Sequence, residues 1–276
     1  MDHEPERVTL RRLRSMKASS QKIVAVVAWD YQMARLADRV GVEIVSVGDS
    51  VGVNLWGHTN PFEVTLEEML TVCRAVRRGV TRAMVSCDFP FGPLQEGTRS
   101  AVATAVRLVK EGGADMVKLD GAADFPEAVE AITRAGIPVF AQFGITPQTA
   151  LRHGVDYASA SRPGAEVPEA MADDLVRQAR TLEDAGAALL DFTNSGPVVG
   201  PRVVEAVSVP VLGGFGGGPW LDGRIRMASA AIGYSASAVD SPPDTYANVG
   251  RAAFDALGAL VDDVRSGRHI RGQQPA

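Results

Sequence analysis

A chain of 276 residues with 46% hydrophobic and 22% charged side chains has material for one large globular domain or two of ordinary size. Its formal net charge of -5 argues against bulk binding to nucleic acid or to an anionic membrane, and no stretch approaches the roughly 20 apolar residues of a membrane span. Two cysteines (Cys73, Cys87) and four scattered histidines (His3, His58, His153, His269) provide neither a disulfide framework nor zinc spacing.

The first seven residues are acidic and lack the apolar run of a signal peptide, so a cytoplasmic location is expected. Residues 8–20 carry Arg11, Arg12, Arg14 and Lys17 among apolar positions and read as a surface helix, a lead-in spanning 1–20. Strand one is predicted over 22–28, followed by a helix from about Gln32 to Val40 that stops at Gly41. Strand two covers 42–47, and the long segment from Gly52 to Val64, with Trp56, Gly57, His58 and Pro61, reads as a substrate-covering loop. Thr65 and Glu68 form a capping box for the next helix. Strand three (83–87), a helix over 98–111, strand four (115–119), a helix over 124–135 and strand five (137–143) follow. A short helix is predicted to start at Pro147, a residue suited to a first helical turn. Residues 154–166 lack periodicity and read as mobile. Then come a helix over 167–185, strand six (187–192), a short helix near 200–206 and strand seven (209–213) with its glycine cluster Gly213–Gly218. A helical piece near 221–227, a weak strand eight at 228–233, a long helix over 243–266 and a loose tail from Gly267 to Ala276 complete the chain.

Eight strand-then-helix units without a break in composition predict an α/β fold, a single-domain (β/α)8 TIM barrel over 21–266, with 267–276 as tail. A doubly wound open sheet would need fewer strands or an evident pair of domains. Several strands end on a carboxylate. Ile44–Val47 surfaces at Gly48-Asp49-Ser50, Met84–Cys87 ends at Asp88, and Met116-Val117 runs into Lys118-Leu119-Asp120. Ala187–Leu190 leads into Asp191-Phe192-Thr193-Asn194. In such barrels the carboxyl ends of the strands form the active-site mouth. A single Asp there is more often a helix cap. Asp49, Asp88 and Asp120 together point instead to a hard divalent ion such as Mg²⁺, which keeps waters and takes part of its shell from substrate. Lys118 lies on the same strand face as Asp120, where it either grips an anionic substrate group or forms an internal salt bridge.

The segments Ala28-Trp29-Asp30-Tyr31, Val47–Gly52, Leu55-Trp56-Gly57-His58, Cys87-Asp88-Phe89-Pro90-Phe91, Met116–Gly121, Phe143-Gly144-Ile145-Thr146-Pro147-Gln148 and Val209–Gly213 occur in that order. In order and spacing the chain resembles the ketopantoate hydroxymethyltransferase family (3-methyl-2-oxobutanoate hydroxymethyltransferases), barrels of the phosphoenolpyruvate mutase/isocitrate lyase superfamily, over residues 8 to 235. The combination is specific although each motif alone is weak.

The resemblance implies a Mg²⁺-dependent aldol-type transfer. A small 2-oxo acid loses a proton next to its carbonyl, and the enolate attacks a one-carbon unit from methylenetetrahydrofolate. It implies Asp49 and Asp88 as metal carboxylates. Asp120 replaces a family Glu that is one methylene longer, which implies contact through water. Ser50 and Lys118 match substrate-contacting positions. It further implies a homo-oligomer, as does the long C-terminal helix.

Two departures set this chain apart. The family's catalytic Glu after strand six falls on Thr193, whose hydroxyl is too weak an acid or base to replace a carboxylate unaided. Asp191, two residues earlier, reads as displaced too far down the barrel. The family's His on strand five is Gln142, which hydrogen-bonds but does not titrate. The family's basic segment beyond that strand is replaced by residues 154–166. The expectation is therefore a specialised paralogue. Asp49, Asp88 and Asp120 hold the metal, Ser50, Lys118 and Gln142 hold the substrate, and Thr193, Asn194 and Lys118 occupy the catalytic position. The alternatives are a silent 2-oxo-acid-binding paralogue and a metal-dependent 2-oxo or hydroxy acid lyase. The lyase and mutase members resemble one another in a Cys-containing gating loop, which this chain lacks after strand four.

Overall fold

The computed structural model describes residues 6–154, 166–241 and 244–272. Eight parallel strands close into a barrel in sequence order. They are β1 (Ile23–Val27), β2 (Ile44–Val47), β3 (Met84–Asp88), β4 (Met116–Leu119), β5 (Val139–Gly144), β6 (Leu189–Thr193), β7 (Val211–Gly213) and β8 (Gly223–Met227). The (β/α)8 expectation holds. The helices are α1 (Leu10–Ala18), α2 (Tyr31–Val40), α3 (Leu66–Gly79), α4 (Thr98–Lys110), α5 (Pro126–Arg134), α6 (Ala172–Asp184), α7 (Val199–Ala206), α8 (Ala228–Ala231) and α9 (Val249–Arg265). None of the described helices is long and apolar enough to cross a membrane. The chain divides into two compact units, Met1–Ile225 and Arg226–Ala276.

Residues alternate across each strand, so the register sorts them into two sets. Ser46 pairs with Ser86, Asp88 with Lys118, Lys118 with Phe140, and Gln142 with Asp191. These form the inner set. The outer set is apolar: Val45, Val85, Val117, Ala141, Leu190 and Val211 are all buried. Phe143 and Phe192, paired in the same register, stack at 4.8 Å between centroids. Apolar packing on the outer face thus commits polar residues to the inside.

Local chemistry sets several boundaries as predicted. Thr65 and Glu68 form the capping box of α3, worth about 1 kcal/mol. Gly41 ends α2 in the left-handed region (φ +94°). Other expectations fail for physical reasons. The order near the end of the barrel is reversed: 223–227 is strand β8 and 228–231 is helix α8. Gly223-Arg224-Ile225-Arg226-Met227 alternates buried with exposed side chains, a period of two, whereas Ala228-Ser229-Ala230-Ala231 is helix-forming. Pro147 opens no helix. Thr146 and Thr149 bond to each other through backbone and hydroxyls, closing a turn, and the 3₁₀ segment waits until Ala150–His153. The segment after Gly52 contains a π-helical turn (Gly52–Trp56) and a 3₁₀ turn (Pro61–Glu63). Helix α6 begins only at Ala172 and α9 only at Val249, where Asn248 caps it. Most of the 154–166 stretch lies outside the described residues.

Within the second unit, backbone bonds from Val249 to Ile232 and from Gly250 to Gly233 tie the start of α9 to the residues after α8. Beyond Gly250, α9 buries none of its residues, and Phe254, Leu257, Leu260, Val261 and Val264 are exposed on it.

One buried carboxylate braces the frame behind the site. Asp38, near the end of α2, accepts from the amides of Thr81 (2.9 Å), Arg82 (3.1 Å) and Ala83 (2.7 Å) and from the Thr81 hydroxyl (2.8 Å). These donors fix the chain just before β3. Burial alone would raise the Asp38 pKa, but the donors from Ala83, Thr81 and Arg82 outweigh it and hold the carboxyl below its ordinary value. Its contribution to stability is therefore present above the unfolded carboxyl pKa and is lost in acid, as pH falls through the folded value. Asp38→Ala is expected to cost about 2–4 kcal/mol in urea unfolding at pH 7, because three amides, one buried and two at part-buried bonds, and the Thr81 hydroxyl lose their acceptor. A midpoint unchanged from the parent would refute this account of the brace.

Candidate active site

Lys118 on β4 points into the barrel with its ammonium between β3 on one side and β5 and β6 on the other. Its Nζ lies 3.3 Å from Asp88 Oδ2 and 3.5 Å from Asp191 Oδ2, and it donates to Gln142 Oε1. With Oε1 committed to a cation, the Gln142 amide turns its Nε2 to Thr193, donating to Oγ1 at 3.0 Å. Asp191 is fixed from its other side by the amide of Gly214, 3.2 Å from Oδ1. Lys118, Gln142, Asp191 and Thr193 are all buried. The result is one hydrogen-bonded chain across β3, β4, β5 and β6.

Above this chain, at the strand exits, stand Asp49 and Asp120, both buried. Asp49 follows Gly48, where a Cβ would come within 2.8 Å of Ser50 Oγ and 3.1 Å of Val27. A side chain at position 48 would therefore displace the Ser50 hydroxyl and press on Val27. Gln148, in the turn after β5, meets both carboxylates. Its Nε2 donates to Asp49 Oδ2 (2.9 Å) and its backbone N to Asp120 Oδ2 (3.2 Å). Nε2 also lies 3.4 Å from the carbonyl of Phe89, the residue after Asp88.

Crowding of carboxylates in a poorly solvated mouth shapes the electrostatics. Burial, reinforced by the Asp120 charge, pushes Asp49 up to about 6. Burial likewise takes Asp88 to about 7, with Lys118 opposing and Asp49 adding to the rise. Asp120 is raised by burial to about 6 against the hydrogen bonds from Thr146 and Gln148, and Asp191 is also raised by burial, against Lys118. Burial by itself would lower the Lys118 pKa, but Asp88, Asp191, Asp120 and Asp49 outweigh it and hold the lysine above its ordinary value. Lys118 is therefore a fixed cation at neutral pH. Each raised carboxyl marks negative charge that the chain alone does not fully compensate.

The expected residues divide into three groups. Lys118, Asp88, Gln142 and Thr193 are brought together directly, and Asp49 and Asp120 are joined through Gln148. Ser50 is half-buried at the β2 exit, and its carbonyl accepts from Asn54. Asn194 is buried beside Thr193 with φ +57°, its amide bonded to the carbonyl of Phe215. Asp191, which reads from sequence as too deep, stands within reach of Lys118. Gln148 was visible only as part of a motif; its position after a Thr-Pro turn gave no sign of which strands it would bridge.

Two buried carboxylate oxygens, Asp88 Oδ1 and Asp120 Oδ1, have no hydrogen-bond partner. Such oxygens fit an oxygen-seeking divalent ion. Among the described residues no group of three or more His, Cys, Asp or Glu side chains is placed so as to hold a metal ion by itself. The donor set suits an ion that completes its shell from water and ligand rather than from protein.

The raised carboxyls carry a pH signature. A folded-state pKa near 6 for Asp49, above the unfolded value, means that ionising this group costs stability as pH rises through that window. Asp49→Asn keeps an acceptor for Gln148 and removes the charge. Its melting temperature without added metal is expected to exceed that of the parent by several degrees at pH 8, with the gap narrowing toward pH 4. A gap that widens on acidification would overturn this electrostatic reading.

The sequence profile of the ketopantoate hydroxymethyltransferase family matches residues 7–270. A 3-methyl-2-oxobutanoate hydroxymethyltransferase from Salinibacter ruber is 36% identical over 259 residues, covering 94% of this chain and 95% of the relative. Among solved structures, 2,3-dimethylmalate lyase, a member of the PEP mutase/isocitrate lyase superfamily, superposes with a TM-score of 0.61 at 16% identity. It covers 97% of this chain and 90% of its own. Phosphonopyruvate hydrolase in complex with oxalate and Mg²⁺ gives a TM-score of 0.56 at 15% identity, over 98% of this chain and 92% of its own. At these identities the structural likenesses speak for the fold, while the profile and the curated relative speak for descent. The chain belongs to the ketopantoate hydroxymethyltransferase family, whose members are C–C bond-forming transferases.

Proposed function

We propose that this protein is a Mg²⁺-dependent aldol-type enzyme that forms a C–C bond at C3 of a small 2-oxo acid, with an acid/base apparatus altered from that of its family. The observation that carries the reading is the pair of unpartnered buried oxygens on Asp88 and Asp120, beside a lysine held cationic. Asp49 and Asp88 would hold the ion, with Asp120 contributing through water. The Mg²⁺ named for the oxalate complex of the distant phosphonopyruvate hydrolase agrees with this choice of ion. Bound there, Mg²⁺ would supply Lewis-acid stabilisation of negative charge developing on a 2-oxo acid. The one-carbon donor in this reading is methylenetetrahydrofolate, in keeping with the hydroxymethyl transfer for which the relatives are named.

The chain's own residues do the rest. Lys118 provides a fixed positive charge for the substrate's anionic end, and Ser50 a hydroxyl at the β2 exit. Thr193 Oγ1 already accepts from Gln142, so its own proton is free to be given to a ligand oxygen. Thr193 and Asn194 thus orient a substrate oxygen by hydrogen bonding rather than by taking a proton. Thr193 and Gln142 do not titrate near neutral pH, which leaves the buried carboxyls as the groups able to exchange a proton there.

The Gln142–Thr193 pair also favours a second reading, a paralogue that binds a 2-oxo acid without turning it over. Incubation with Mg²⁺ and a panel of 2-oxo acids in D₂O separates the two. We expect exchange of the C3 protons by NMR, abolished in Asp88→Ala together with its Mg²⁺ requirement. Binding without exchange in the parent would select the silent paralogue, and undiminished exchange in Asp88→Ala would sink the metal assignment.

We further propose a homo-oligomer. The exposed side chains of Phe254, Leu257, Leu260, Val261 and Val264 on α9 recur at helical spacing and form an apolar stripe suited to packing against another chain. Sedimentation equilibrium should show a multimer that Leu257→Asp with Val264→Asp dissociates; a monomeric parent would refute the assignment.

A further inference from the structure

Gln148 touches the exits of three successive strands. Its side-chain amide bonds Asp49 after β2 and reaches the carbonyl of Phe89 after β3, while its backbone amide bonds Asp120 after β4. Those are the strands whose ends carry Asp49, Asp88 and Asp120. Turn geometry on both sides sets its position. Gly144 takes φ +95° where a Cβ would sit 2.8 Å from the Thr193 carbonyl, turning the chain sharply out of β5. The Thr146–Thr149 turn then fixes the backbone on either side, with the two hydroxyls 2.7 Å apart.

The bonds are selective in which oxygens they use. Gln148 engages Oδ2 of Asp49 and Oδ2 of Asp120, and the remaining oxygen of Asp120 is buried without a partner. A neutral amide suits this task. A lysine or arginine here would neutralise the carboxylates and compete with any cation, and an acidic residue would add to their repulsion. An amide donor holds crowded carboxylates in place while leaving their charge intact.

We propose that Gln148 is the positioning residue of the cation site, fixing Asp49 and Asp120 through their Oδ2 atoms so that Oδ1 of Asp120 stays open toward a divalent ion. This rests on the metal reading given under Proposed function. Gln148 touches neither substrate nor reacting atoms in this account. It acts through the two carboxylates, and its loss should appear first in ion affinity.

The test is a Mg²⁺ titration followed by melting temperature and by calorimetry on the full-length parent, Gln148→Leu, Gln148→Met and Asp88→Asn. The two apolar variants remove the side-chain donor and differ in shape, so a packing defect in one does not decide the matter. Parent protein should be stabilised by Mg²⁺, and Asp88→Asn should lose most of that response. Gln148→Leu and Gln148→Met leave Asp49 Oδ2 without its donor and should melt somewhat below the parent without metal. In addition they should need roughly tenfold to hundredfold more Mg²⁺ for half-saturation, the range typical of lost outer-shell contacts. Parent-like Mg²⁺ affinity in a folded Gln148 variant would overturn this inference and leave the metal reading standing. A parent that does not bind Mg²⁺ would overturn both. A merely structural glutamine would lower the metal-free melting temperature and leave the affinity alone, which also counts against the proposal.

Discussion

Negative charge confined at one end of a barrel is the constraint on which the rest of this structure turns. Burial raises Asp49, Asp88, Asp120 and Asp191, and the fixed ammonium of Lys118 answers only part of that excess. Folding tolerates such a cluster because its cost is met elsewhere, by an apolar shell between strands and helices and by braces such as Asp38. An arrangement that carries a stability cost without a ligand is one whose ligand can return the difference. In the metal reading proposed above, the same crowding is what would make the mouth receptive to a cation and to a substrate that arrives with it.

The strand register makes the charge cluster unavoidable once the outer face is apolar. Val117 and Leu119 must face the helices, so Lys118 faces inward; Ala141 and Phe143 force Gln142 to do the same. Fold and chemistry are specified by one alternation. A slip of one residue on β4 would bury apolar side chains in the mouth and press a lysine against the helical layer.

Much of this was legible in the sequence because it depends on local pattern. Short β-branched runs ending in Gly-Asp-Ser, Cys-Asp or Lys-Leu-Asp announce strands and their exits, and Thr65 with Glu68 announces a helix start. What failed was arbitration between similar local signals. Residues 223–227 announce a strand weakly because glycine takes one of the buried positions and Ile225 is the one β-branched residue, and the helix-forming run after them is only four residues long. The site was legible as a list of inward residues, and its wiring was not. No pattern in one dimension says that Gln148 would reach back to the ends of β2 and β4, or that Asp191 would share Lys118 with Asp88. Those contacts arise from barrel closure, which brings together residues as far apart as Asp49 and Gln148.

Gln142 has a consequence for how this site can be altered. The amide serves two neighbours of opposite need, an ammonium that wants an oxygen and a hydroxyl that receives an N–H. Changing either neighbour alone leaves one end of a buried amide without its counterpart, and changing the amide alone leaves both neighbours wanting. Positions 142 and 193 therefore form a single unit of variation. An engineer seeking to reinstall a titrating group at this depth would do better to randomise the two together, since the acceptable combinations lie across a valley that stepwise substitution does not cross.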